Sequence, residues 1–106
     1  MNANNGIKTT LANATLSVSV ARSPFGTPQP QIAVRYPRGT HFRAVRAALF
    51  ALAARVENAT PRTDSWVVEV DASGELSGRV YLELVDADEA ETERGLALLR
   101  EAAGGR

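Results

Sequence analysis

The chain has 106 residues, no cysteine and no net charge, because twelve lysine and arginine residues balance twelve aspartate and glutamate residues. This length fits one domain with a modest core, and the lack of cysteine excludes disulfide bonds, thiolate metal sites and cysteine nucleophiles. With no run of about 18 apolar residues and no apolar N-terminal segment, we expect no membrane span, no signal peptide and a cytoplasmic location.

The neutral total hides two halves of opposite charge. Residues 1–63 hold Lys8 and seven arginines against the acid Glu57, a formal charge of +7, whereas residues 64–106 hold eleven acids against four arginines, a formal charge of −7. Such a separation indicates polyanion binding or association between oppositely charged surfaces. The alternative is that the acidic half folds against the basic half and neutralises it through surface ion pairs, worth about 0–1 kcal/mol each.

The first part of the chain predicts a tail followed by a β-hairpin. Residues 1–13 are rich in Asn, Ala and Thr without periodicity, which predicts a flexible N-terminal tail before a single domain over residues 14–106. Alternating apolar and polar residues predict strands over residues 14–22 and 32–36. Between them, residues 23–31 contain three prolines and a glycine, which we expect to break the ladder and form a long, stiff hairpin tip.

A helix is predicted from about residue 41 to residue 59, with Thr40 as its N-cap and Pro61 beyond its end. Apolar side chains that recur every three or four residues predict one buried stripe on this helix. The stripe consists of Phe42, Val45, Leu49, Leu52 and Val56. The reverse side is mostly alanine, with Phe50 on its flank, and therefore has little polar cover.

The second part of the chain repeats the same order of elements. Strands are predicted over residues 65–71 and 79–85 around a glycine-containing hairpin loop, followed by a helix with acids at its start and Gly104 at its end. The order β-β-α-β-β-α predicts an α+β fold, a two-layer sandwich in which two helices cover one face of a four-stranded antiparallel sheet. This order is similar to that of the pterin-carbinolamine dehydratases, but their paired-histidine site has no counterpart because His41 is the only histidine.

No motif in the sequence indicates catalysis, so we expect a protein that is not an enzyme. His41 has no second histidine and no cysteine to act with, and neither glycine-containing loop matches a phosphate-binding fingerprint. The acids near the last helix lack the spacing of a calcium loop. We therefore predict no catalytic residue, no metal ligand and no cofactor.

The basic segment, residues 35–46 with the sequence RYPRGTHFRAVR, carries the main functional hypothesis. It contains four arginines and the histidine but no acid, at a strand end and a helix start where backbone N–H groups also attract anions. Arginine forks suit phosphate, and an apolar residue such as Phe25 on the hairpin can insert between bases. The sequence thus predicts DNA or RNA binding. The predicted contacts are Arg22, Arg35, Arg38, His41, Arg43 and Arg46.

The competing hypothesis is a protein-interaction module that uses its opposed basic and acidic surfaces. Such a module would act as a regulator or antagonist, of the kind found on mobile elements, and complementary charge would also orient self-association into a homodimer. Small residues on the first helix let another helix approach closely. The predicted interface residues are Phe25, Phe50, Ala47, Ala51 and Ala54.

Overall fold

The computed structural model describes residues 13–72 and 74–104. Its elements are β1 (Thr15–Arg22), β2 (Pro28–Arg35), α1 (Phe42–Ala59), β3 (Val67–Asp71), β4 (Ser77–Glu83) and α2 (Glu89–Ala102). The predicted α+β class and the order β-β-α-β-β-α are confirmed. The predicted tail, apart from residue 13, lies outside the described residues.

The four strands form one antiparallel sheet in the order β1-β2-β4-β3, so that β1 and β3 are its edges. In the register, Ile32 of β2 lies opposite Val18 of β1 and Val80 of β4. Alternate side chains point to opposite faces, and both helices cover the face that carries these three residues. Helix α1 packs over β3 and β4, and α2 packs over β2 and β1. The other face, called the open face below, carries mostly polar side chains.

The core lies between the sheet and the helices. Helix α1 contributes its aliphatic stripe, in which Val45, Leu49, Leu52 and Val56 are almost completely buried. Phe42 was expected in this stripe, but half of its surface is exposed. Phe42 is the first helical residue, and its ring stacks on His41 at a centroid distance of 4.8 Å. Within the described residues, neither helix is long and apolar enough to cross a bilayer.

The proline-rich stretch between the first two strands is shorter than predicted, because β2 begins at Pro28. The turn closes tightly, since Ser23 N donates to Thr27 O and Gly26, with a φ of 82°, donates its N–H to Ser23 O. The expectation that all of residues 23–31 would break the ladder is wrong. Strand β4 pairs with β2 only over Gln31–Arg35, so the prolines lie where β2 has one neighbour and a missing N–H is tolerated.

Helix α1 begins one residue later than predicted, and the expected N-cap is wrong. Thr40 donates its hydroxyl to the carbonyl of Pro37 at 2.8 Å, which uses it in the preceding turn. His41 is the N-cap instead, and its Nδ1 accepts the backbone N–H of Arg43 at 3.1 Å. A histidine therefore performs the capping role usually taken by Ser, Thr, Asp or Asn.

Candidate anion-binding surface

The basic segment is folded into the end of β2, a connecting loop and the start of α1. Arg35 is the last residue of β2, and Arg43 and Arg46 lie in the first two turns of α1. Arg38 and His41 line one groove of about 500 Å³, which also contains Glu75. All five basic side chains are exposed, and we call them the basic surface.

An aromatic ring lies within the basic surface. The rings of His41 and Phe42 are stacked with an interplanar angle of 24°, and the guanidinium of Arg43 lies 5.9 Å from the centroid of Phe42. The sequence interpretation assigned Phe42 to the buried stripe because of its spacing, and so did not place it among the basic residues. Its place at the first helical position, between a histidine and an arginine, is the signal that would have identified it.

The start of α1 is electropositive for a second reason. The first turn of this 18-residue helix contains no acidic side chain, and its N-cap is His41. Free backbone N–H groups give a helix N-terminus a partial positive charge, which acids in the first turn usually complement. Arg43 occupies this turn instead and adds to the positive potential.

The arginines of the basic half have no carboxylate partners among residues 13–72 and 74–104. The two ion pairs recorded among the described residues, Arg79 with Asp71 and Arg94 with Asp64, both lie within residues 64–106. No arginine of residues 13–63 forms an ion pair with another described residue. The two halves therefore do not neutralise each other through direct ion pairs in the described part of the chain.

The predicted contact Arg22 lies away from the basic surface. Arg22 is opposite Pro28 in the register and Thr15 is opposite Arg35, so seven residue steps of β2 separate the two ends, roughly 23 Å. Arg22 donates from its Nη1 to the carbonyl of Gly26 at 2.9 Å, across the hairpin turn. The structure thus divides the predicted binding residues between two ends of the sheet.

The predicted interface residues are also divided between two places. Phe50 on α1 is 54% exposed, Ala47 and Ala54 beside it are exposed, and Ala51 is half-buried. Phe25 is 94% exposed, but it lies in the hairpin turn rather than on this helix. The outward side of α1 is therefore an apolar strip one turn beyond Arg43 and Arg46.

The open face contains a polar network that the sequence interpretation missed. At its centre, Arg79 of β4 places its guanidinium 4.0 Å from the centroid of the Tyr81 ring and donates from Nη1 to Gln31 Oε1 at 3.0 Å. A weaker contact of 3.4 Å joins the same nitrogen to Gln29 Oε1. Alternation in the sequence places Arg79 on an outward face, but only the strand register brings the two glutamines to it.

The described residues contain no group of three or more His, Asp or Glu side chains that could hold a metal ion. Comparisons of the chain with protein-family models, with curated proteins and with solved structures find no match. The geometry of the basic surface and of the open face is therefore the basis of the functional argument.

Proposed function

We propose that this protein binds nucleic acid, DNA or RNA, through the basic surface and without catalysis. The observation that carries the proposal is the absence of ion pairs between the arginines of the basic half and any described carboxylate, whereas Arg79 and Arg94 of the acidic half are paired. Unpaired, exposed guanidinium groups are available to an external polyanion. A cytoplasmic location belongs to the same proposal, since a chain without cysteine suits a reducing compartment.

The chemistry of the surface suits phosphate. A guanidinium presents two parallel N–H donors to two phosphate oxygens, and Arg43 and Arg46 lie three residues apart on the same side of α1. The N–H groups at the start of α1 add a further attraction for anions. The exposed ring of Phe42 offers a flat surface to a base or sugar. The acids near the start of α2 repel phosphate and so restrict a polyanion to the basic side.

The test is the binding of fluorescently labelled DNA and RNA, followed by fluorescence anisotropy at low salt. We expect binding whose affinity falls steeply between about 50 and about 200 mM salt, because each phosphate contact releases counterions. The double variant Arg43→Glu with Arg46→Glu is expected to reduce the affinity at least about tenfold and to lower the salt slope by about two. Arg100→Glu, on the exposed side of α2, is the control and should change little.

Absence of binding to every nucleic acid at micromolar protein and low salt would refute the proposal. An equal loss of affinity in Arg100→Glu and in Arg46→Glu, which change the charge by the same amount, would also contradict it. In that case the net charge rather than the basic surface would govern binding.

A second candidate function, protein interaction, is favoured by the apolar strip on α1. A ring as exposed as that of Phe50, beside two exposed alanines and close to arginines, fits a homodimer contact or an acidic protein partner of a small regulator. Light scattering after gel filtration tests the homodimer. Phe50→Ser should abolish dimers, while Phe25→Ser removes an equally large exposed ring elsewhere and should leave them intact. A monomer at all concentrations would refute the homodimer.

A further inference from the structure

The strands of the open face offer few large apolar side chains to a hydrophobic partner. In the described part of the chain, its large apolar groups are the edge residue Val67 and the ring of Tyr81, and the remaining side chains are polar, charged or alanine. A packed helix or second sheet needs an apolar surface to cover. The occupant that fits this face must therefore be polar and must complement its fixed charges.

The central cation of this face is held in one position. The guanidinium of Arg79 lies over the Tyr81 ring, donates to Gln31, and pairs with Asp71 through a contact of 3.8 Å between Nε and Oδ2. Its acceptors are themselves fixed, because Gln31 donates to Ser19 Oγ and Gln29 donates to Glu83 Oε1. The Arg79 side chain is still 29% exposed, and exposed guanidinium planes stack on nucleic-acid bases.

Two grooves extend from Arg79 towards the two ends of the sheet. One, of about 390 Å³, is lined by Arg35, by Thr15, Ser17 and Ser77, and by the acid Asp71. The other, of about 360 Å³, is lined by Arg22, Phe25, Gln29 and Tyr81, and by the acid Glu83. Arg79 lines both. The first groove continues into the basic surface through Arg35, which belongs to both.

From this arrangement we infer that the open face binds a single-stranded segment of nucleic acid. The backbone phosphates lie along β2 from Arg35 towards the hairpin turn, and an unpaired base stacks on the guanidinium of Arg79. The inference rests on the proposed function and extends it to a second face of the molecule. It also gives a role to Arg22 and Phe25, which the fold separates from the basic surface by the length of β2.

The inference selects single strands because of the stacking contact. A base can lie flat on the guanidinium only if it has no neighbour there, whereas a duplex presents base edges and backbone to a flat sheet. Three acids of the described strands lie on the open face, Glu69 and Asp71 on β3 and Glu83 on β4. Their charge repels phosphates from the β3 and β4 side, so the proposed path of the backbone follows β1 and β2.

The experiment compares a labelled single strand of about 12 nucleotides, within the site sizes known for such grooves, with a duplex of the same length by fluorescence anisotropy. The key variant is Arg79→Lys, which keeps the charge and removes the flat guanidinium. The matched control is Arg94→Lys, because Arg94 also lies over an aromatic ring, at 5.1 Å from the centroid of Trp66, but it belongs to helix α2.

We expect Arg79→Lys to weaken single-strand binding about tenfold, to leave duplex binding unchanged, and to leave the salt slope unchanged because no charge is lost. Arg94→Lys should change none of the three. A 2-aminopurine base in the strand should be quenched on binding by the unmodified protein and less so by the variant. If Arg79→Lys does not fold, Tyr81→Leu, which removes the supporting ring, gives the same test.

The outcomes separate the two proposals. Binding of single strand and duplex with equal affinity, both unaffected by Arg79→Lys and Tyr81→Leu, would overturn the inference and leave the proposed function standing. No binding of either form would refute both. Loss of single-strand binding in Arg79→Lys, with duplex binding still reduced by Arg43→Glu and Arg46→Glu, would support both.

Discussion

The two helices begin in opposite ways. Helix α2 has Asp88 as its N-cap, which accepts the backbone N–H of Glu91 at 2.7 Å, and it carries Glu89 and Glu91 in its first turn. Helix α1 has a histidine cap, no acid in its first turn, and Arg43 within it. Both helices pack on the same sheet face, so burial of the helices does not explain the difference.

The contrast extends to buried polar groups near each start. Glu91 is only 8% exposed, and its carboxylate accepts the N–H groups of Val85, Asp86 and the Trp66 indole. Tyr36, at the entrance to the loop before α1, is 3% exposed, and its hydroxyl has no hydrogen-bond partner in the described part of the chain. The start of α2 is internally satisfied, whereas the start of α1 keeps uncompensated positive charge at the surface. The first arrangement stabilises the start of α2, and the second is the basis of the proposed anion binding.

The largest effect on stability is expected for Glu91→Ala, which removes the buried carboxylate at the start of α2. Three N–H donors lose their acceptor, so we expect the free energy of unfolding to fall by on the order of 3 kcal/mol, measured by urea denaturation. Glu89→Ala, an exposed acid in the same turn, is the control and should cost less than about 1 kcal/mol. Equal losses in the two variants would show that charge at the helix start, and not the buried carboxylate, stabilises α2.

Removal of the unpartnered Tyr36 hydroxyl, near the start of α1, should change the free energy of unfolding less than Glu91→Ala does, and in the opposite direction. Tyr36→Phe removes a buried group without a partner, so we expect a change between zero and about 1 kcal/mol in favour of the folded state. A loss of more than about 1 kcal/mol would mean that the hydroxyl has a partner in solution.

The same tyrosine makes stability depend on alkaline pH. Burial raises the pKa of Tyr36 above its ordinary value of 10.0. The folded protein therefore keeps this proton at pH values where the unfolded chain has lost it, and the free energy of unfolding should fall as the pH rises above about 10. Urea denaturation from about pH 9 to about pH 11 should show a smaller decline in Tyr36→Phe than in the unmodified protein. Identical declines would contradict the assignment to Tyr36.

The smallest effect on stability is expected when the first turn of α1 is given an acidic residue, as the first turn of α2 has. Ala44→Glu places an acid in the first turn of α1, which should stabilise the protein by about 0.5 kcal/mol through the helix dipole. The same change should weaken nucleic-acid binding several-fold, because it neutralises part of the positive surface. Thermal unfolding and anisotropy on one sample measure both. A gain in stability with unchanged affinity would show that the start of α1 does not contribute to nucleic-acid binding.

The sequence predicted the elements well because alternation and helical spacing are strong in this chain. It failed at Pro28 and Pro30, which join β2 because this stretch has only one neighbouring strand, a property of the sheet order rather than of the residues. It failed at Phe42, whose spacing fits the core while its position at the helix end leaves it exposed.

The candidate sites also divide into one that local sequence predicts and one that depends on the order of the strands. Segment composition identified the basic surface, whose members are close along the chain. The network around Arg79 joins residues 48 and 50 positions apart, and nothing local indicates which strands are neighbours. The sequence interpretation groups Arg22 with the basic surface as part of the hairpin, and only the register shows that the eight residues of β2 separate the two.

The central claim is that the start of α1, and not the start of α2, receives the nucleic acid. Nuclear magnetic resonance on nitrogen-15-labelled protein, titrated with a short nucleic-acid duplex at low salt, tests it most directly. We expect the largest shifts at the backbone amides of residues 38–46, with the amides of residues 86–93 unchanged. Shifts confined to residues 86–93, or no shifts at saturating duplex, would contradict the account.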